Sequence, residues 1–301
     1  MKKRGIGFRR KVNSTSLAPT NWKNFLRSSE NKTELFRFLS TEIHKHSHGE
    51  IISAFNNTIT NNIEEVMLFL CHTNQEEADT HVFLHVKEMA VKGFHKVMIR
   101  TVDTDLVILV ISMFEDLGLE QLWLDFGSGK QRMFLPIHEM HLEEIKRLGL
   151  CFFFCFTGCD QVSFFAHVSK KTAWKIWELF PGVSEAFASL SDQPTEAAIE
   201  KAMSVLERFV ILLYHRTSNC LVVNECRREL FSNGRSCDNI PPTYAALLQH
   251  VRIAAFIAGH VWANSLIPMQ NLLILQSGDG KMMENRIGLI FWKPRVVSDN
   301  L

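Results

Sequence analysis

The feature that most restricts the fold is an alternation of short apolar runs with longer stretches of helical periodicity between Glu64 and Ile137. "EEVMLFLC" is short, apolar and bounded by polar residues, as a buried strand is. In "EEADTHVFLHVKEMAVKG", Ala78, Val82, Val86 and Met89 trace one face of a predicted helix, and Gly93 stands where it ends. "HKVMIRTVDTD" reads as a second buried strand. "LVILVISMFEDLG" runs past strand length and stops at Asp116 to Gly118, which predicts a helix. "QLWLDF" and "QRMFLPI" read as strands around the turn "GSGK". Strand, helix, strand, helix, strand predicts an α/β domain with a largely parallel sheet, and ligands of such sheets bind beyond the carboxyl ends of the strands.

This core is expected over residues 63–150. Residues 1–62 read as a basic arm and connector, with one helical stretch carrying Leu35, Phe36, Leu39 and Ile43. Residues 151–217 are a helical region, and 218–301 a helical extension. One predicted helix there aligns Ile199, Met203, Leu206, Val210 and Leu213, and another Tyr244, Leu247, Leu248, Val251 and Ala255, with prolines 241 and 242 at its start.

Composition narrows the classes. With 46% hydrophobic and 22% charged residues in 301, the chain can bury a core. Its longest apolar runs fall short of the roughly 18 residues of a membrane helix, so no membrane partner is expected. The basic start lacks a secretory apolar segment, which predicts an intracellular protein, nuclear or cytoplasmic. Seven cysteines, an odd number, argue against a disulfide framework. Cys151, Cys155 and Cys159 lie among phenylalanines and read as packing, with a metal face as the alternative. His44, His46 and His48 read as a solvated turn, and His138 and His141 as a helix surface. The net charge of +1 gives no bulk attraction for nucleic acid. Basic residues do cluster, at Lys2, Lys3, Arg4, Arg9, Arg10 and Lys11 and again at Lys170, Lys171 and Lys175, as solvated groups or phosphate contacts.

The chemistry-bearing residues are acids. Asp103 and Asp105 close the second strand, and on extended backbone residues so spaced share a face. Like charges that close either keep a proton or hold a cation. The plainer alternative is that Asp105 caps the next helix while Asp103 faces water. Glu76, Glu77 and Asp79 follow the first strand, where Asn74 and Glu77 resemble a capping box and acids suit a helix start. Asp160 follows Gly158 in "FTGCDQV", an ordinary turn setting. Acids from these separate segments on one side of an α/β domain suggest a site of hard oxygen ligands, suited to Mg²⁺ or Mn²⁺. No Walker loop, Ser-His-Asp order or zinc-ligand spacing offers a competing mechanism.

In order and spacing, "EEADT", "TVDTD" and "FTGCDQVSFF" followed by "KKTAW" resemble the acidic motifs and helical element of the flap-endonuclease family, a branch of the PIN-like fold. The chain resembles more closely a group of multi-copy animal proteins carrying that domain, from about Lys3 to Ser265. The resemblance implies that Glu77, Asp79, Asp103, Asp105 and Asp160 bind two Mg²⁺ (or Mn²⁺) ions, with Asp103 and Asp105 central to phosphodiester cleavage. It implies nucleic acid as partner, DNA ahead of RNA, gripped by a helix-three-turn-helix over 151–217 through Lys170 and Lys171 and by the arm at Arg9, Arg10 and Lys11. The turn "FFAHVSKK" lacks the family's glycines, having Ala166, His167 and Val168 where backbone approaches phosphate. Family members begin with strands bearing further aspartates, whereas no Asp precedes Asp79 here, so an N-terminally shortened site is expected.

Overall fold

The structure, a computed structural model, describes residues 11–46, 51–55, 58–61 and 78–268. Among the described residues the first elements are α1 (Trp22–Phe25) and α2 (Ser29–His46), then an antiparallel hairpin of β1 (Ile52–Phe55) and β2 (Thr58–Asn61). The hairpin lies within the stretch expected as connector. Ser53 ties it to α2, donating from Oγ to the Ser40 carbonyl (3.2 Å) and meeting His44 Nε2 at 2.6 Å. His44 and His46 thus end a helix rather than form a turn.

The core continues with α3 (Ala78–Val91), β3 (Lys96–Thr101), α4 (Thr104–Leu117), β4 (Gln121–Phe126) and β5 (Met133–Pro136). Strands β3 and β4 are parallel, and β5 runs antiparallel to β4, so this three-stranded sheet is mixed rather than largely parallel. The short link between β4 and β5 explains the difference, since a hairpin-length connection can only reverse direction. The expected strand at 64–71 lies outside the described residues.

Local chemistry fixes these elements. Gly93 at φ +87° ends α3, and Gly118 at φ +72° ends α4, both in the left-handed region that suits glycine. Leu106, Leu109, Val110, Met113 and Leu117 form the buried stripe of α4, which packs on α3 and α5, and Ile99, Leu122 and Leu124 are the buried residues of the sheet. In α3 the buried face is Phe83, Leu84 and Val86 rather than the Val82–Val86–Met89 stripe expected.

Beyond the sheet the chain is helical: α5 (Glu144–Phe156), α6 (Lys170–Leu179), α7 (Ser184–Ser191), α8 (Glu196–Tyr214), α9 (Val223–Ser232) and α10 (Tyr244–Phe256), which runs into a π-helical turn, Ile257–Trp262. From Gly149 to Phe156 every residue of α5 is buried, so this helix is the centre of the second half. Gly149 lets α7 press against it, since a Cβ there would stand 2.8 Å from that of Phe187. Around it Phe153 meets Trp177 at 4.8 Å between ring centroids and Phe156 meets Phe165 at 5.0 Å, while Trp177 Nε1 donates to Ser184 Oγ. Ile199, Met203, Leu206, Val210 and Leu213 are all buried on α8, as their spacing predicts. On α10, Thr243 caps the helix and Leu247, Val251 and Ala255 are buried, whereas Tyr244 stays exposed. His138 is drawn inward, its Nδ1 3.1 Å from the Leu122 carbonyl, rather than lying on a helix surface. Among the described residues no helix is long and apolar enough to cross a membrane.

Candidate metal centre

The site is built where β3 gives way to α4. The Asp103 N–H donates to Thr101 Oγ1 at 3.0 Å, turning the chain out of the strand. Asp103, with φ −90° and ψ 129°, is the N-cap, and its Oδ1 accepts from the Asp105 N–H at 2.9 Å. The cap is therefore Asp103, not Asp105. The two side chains do not share a face of one extended strand, because Asp105 already belongs to the first helical turn. They are neighbours through the cap.

Asp79 lies in the first turn of α3, where an acid suits the positive end of the helix. Glu76 and Glu77 and the capping box with Asn74 lie outside the described residues. Asp160 sits at the tip of a closed loop after α5, in which Cys159 and Val162 exchange backbone hydrogen bonds of 3.0 and 3.2 Å. Gly158 makes this loop feasible. Its φ is +108°, and a Cβ there would stand 2.6 Å from that of Phe164.

These separate elements meet electrostatically at Asp105. Burial first, and then the charges of Asp103, Asp160 and Asp79, push its carboxyl from 3.8 up to about 6, against the opposing charge of Lys170. The Lys170 ammonium is seated on the end of α5. It donates to the Phe154 carbonyl (2.7 Å) and Thr157 Oγ1 (3.1 Å) and lies 3.6 Å from the Phe154 ring centroid. Burial pulls its pKa down to about 8, partly offset by Cys159, Cys155 and Asp105. Lys171 and Lys11 are exposed, and Arg9 and Arg10 lie outside the described residues. In the turn after Phe165 the positive φ falls on His167, at +59°, in place of a glycine.

Two features beside the acids escape a reading of the sequence. Cys159 hydrogen-bonds Cys155, and that contact, with N–H groups of Gln161 and Val162, brings Cys159 down to about 7 in spite of burial. Cys151 and Cys155 are buried and all described cysteines are free, in line with packing. Asp125 on β4 is buried and held by Arg132 (Nε to Oδ1, 2.7 Å) and Arg100 (3.1 Å). The hydrogen bond from Arg132 holds its carboxyl below the ordinary range. An apolar strand with Arg at a paired position was the only available signal, and pairing register is not written in one strand.

By donor type and charge, Asp79, Asp103, Asp105 and Asp160 suit a hard divalent cation. Among the described residues, no three His, Cys, Asp or Glu side chains are grouped closely enough to hold one, with Asp103 Oδ1 engaged by the Asp105 N–H. Compared with protein-family models, curated proteins and solved structures, the chain matches none.

Proposed function

We propose that the chain is a divalent-metal-dependent, flap-endonuclease-like protein of the PIN-like fold that hydrolyses phosphodiesters of DNA or RNA, DNA ahead of RNA. The observation that carries this reading is that acids from α3, the β3–α4 junction and the loop after α5 all act on the Asp105 carboxyl. The N-cap accounts for Asp103 and the helix start for Asp79, but neither accounts for the charge of Asp160 reaching Asp105. Glu77, Asp79, Asp103, Asp105 and Asp160 are the residues that would hold two Mg²⁺ or Mn²⁺ ions. Bound there, such ions supply the Lewis acidity that activates water and stabilises a leaving oxygen. The protein's own part is positional. Asp103 fixes the start of α4, on which Asp105 sits, and the Gly158 turn shapes the loop that carries Asp160. Asp105 keeps a proton on its carboxyl below about pH 6 and presents a full charge above it.

A second reading, a PIN-like module that binds nucleic acid or protein without cutting, is favoured by one observation. The Lys170 ammonium is committed to α5, and the adjoining turn has Ala166, His167 and Val168 where a glycine-rich turn would meet phosphate. Labelled flap, hairpin and single-stranded substrates incubated with Mg²⁺ or Mn²⁺ separate the readings, beside Asp105→Asn protein and Mn²⁺ calorimetry. Product from the wild type alone supports the nuclease. Nucleic-acid binding with neither product nor Mn²⁺ heat supports the inactive module. Equal product from both proteins marks a contaminant and refutes the assignment of Asp105.

A further inference from the structure

The outer face of the β3–β4–β5 sheet carries residues that a water-facing sheet does not need. Met98 pairs with Trp123 and Arg100 with Asp125 across the parallel ladder, and Asp125 lies opposite Phe134 across the antiparallel one. Alternation therefore places Met98, Arg100, Trp123, Asp125 and Phe134 on one side, with Ile99, Leu122 and Leu124 in the core on the other. The solvated side of a sheet ordinarily reads as polar. Here Met98 is 59% and Phe134 52% exposed, and Trp123 is half-buried with its ring edge on His138. Trp123 and Phe134 are diagonal neighbours on adjacent strands, about 7–8 Å apart by sheet geometry.

The charges on this face are unequal. Arg132 lies over the Phe134 ring, 5.3 Å from its centroid, and both Arg132 and Arg100 hydrogen-bond Asp125. One buried carboxylate thus orients two half-exposed guanidinium groups and leaves the group net positive. Lys96 is exposed further along β3. Glu120 precedes the amino end of β4, away from the arginines but at the Lys96 end of the face, so the five charges together leave one net positive charge.

We propose that this face binds single-stranded nucleic acid, with bases laid on Met98, Trp123 and Phe134 and phosphates met by Lys96, Arg100 and Arg132. Flat rings beside fixed guanidinium groups are what an unstacked base and its phosphate require. A duplex has its base faces covered. An apolar polypeptide would gain nothing from the surplus positive charge. The platform goes beyond the nuclease reading and stands without it, since it needs no metal.

The test is fluorescence anisotropy in EDTA, with labelled oligothymidylate and oligouridylate of about 15 nucleotides, within the span such platforms cover, and a duplex of equal length. Single strands bind more tightly than duplex. Phe134→Ala weakens that binding about tenfold and Phe134→Trp retains it. Lys96→Glu weakens it and flattens its salt dependence, as expected for a lost phosphate contact. Phe134 is half exposed, so melting curves of its variants match the wild type. Unchanged affinity in Phe134→Ala, a preference for duplex, or no binding overturns the proposal. So does a Phe134→Ala variant that shifts a dimer to monomer in sedimentation while oligonucleotide affinity holds, because the face then belongs to a second copy of the chain. Oligonucleotide binding without Mn²⁺-dependent cleavage sustains this platform and counts only against the nuclease.

Discussion

Asp105→Asn makes the protein more stable, not less, when divalent metal is withheld. In the folded protein the Asp105 carboxyl titrates near 6 instead of 3.8, because burial and the charges of Asp103, Asp160 and Asp79 disfavour its anion. A rise of that size corresponds to about 3 kcal/mol in full, at about 1.4 kcal/mol per tenfold change in proton affinity. Asp105 is only partly buried, so solvent screening reduces this to about 1.5 kcal/mol. Asparagine also gives up the favourable effect of an anion in the first turn of α4, about 0.5 kcal/mol. The net gain is about 1 kcal/mol at pH 7.5, or roughly 2–4 °C in Tm for a domain of this size. A raised carboxylate pKa means that the folded state holds the proton more tightly than the unfolded chain. Its contribution is thus complete below pH 3.8 and lost as pH rises through about 6. The difference between variant and wild type is accordingly near zero at pH 4, grows between pH 4 and 6, and is constant above. Urea unfolding in EDTA across this range measures it. A variant less stable than wild type at pH 7.5, or a difference that does not vary with pH, refutes the argument that these acids meet.

Three further outcomes follow from the same geometry. Mn²⁺ at about a hundred times its dissociation constant stabilises the wild type by about 2.7 kcal/mol at pH 7.5 and by less at pH 5, read as a thermal shift; an equal gain in Asp105→Asn removes that carboxylate from the ligand set. Asp103→Ala lowers stability by about 1 kcal/mol through the lost cap on the Asp105 N–H, whereas Asp103→Asn, which still caps, loses less than half of that in urea unfolding. Gly158→Ala costs about 2 kcal/mol, because its backbone is left-handed and Phe164 fills the Cβ position, and the same variant weakens Mn²⁺ binding by displacing Asp160.

Periodicity revealed most of this fold. The positions of α3, α4, α8 and α10, and of β3, β4 and β5, follow from the order and length of the apolar runs, and on α8 the apolar spacing also matches the buried residues. Direction was less legible. A strand carries its face in its own alternation, but whether β5 runs with or against β4 depends on the length of the link, which "GSGK" marks as short. The β1–β2 hairpin carries little signal in the sequence, because its strands, "ISAF" and "TITN", are too short and polar to outweigh the surrounding Asn and Ser.

The acids were legible as residues but not as a constellation. Spacing suggests that Asp103 and Asp105 act together, yet on the wrong ground: the strand ends before them, and a cap joins them. Lys170 was legible only as a charge, since its burial against Phe154 and Thr157 depends on α6 folding back onto α5. The same limit explains why a net charge of +1 is a poor guide to partners. Asp103 and Asp105 stand where β3 ends, while Arg100, three residues before Asp103, turns to the outer face with Arg132. Strand alternation separates charges adjacent in sequence onto different surfaces. A chain with a net charge of only +1 can therefore carry acids at one end of its sheet and a surplus of guanidinium groups on its outer face.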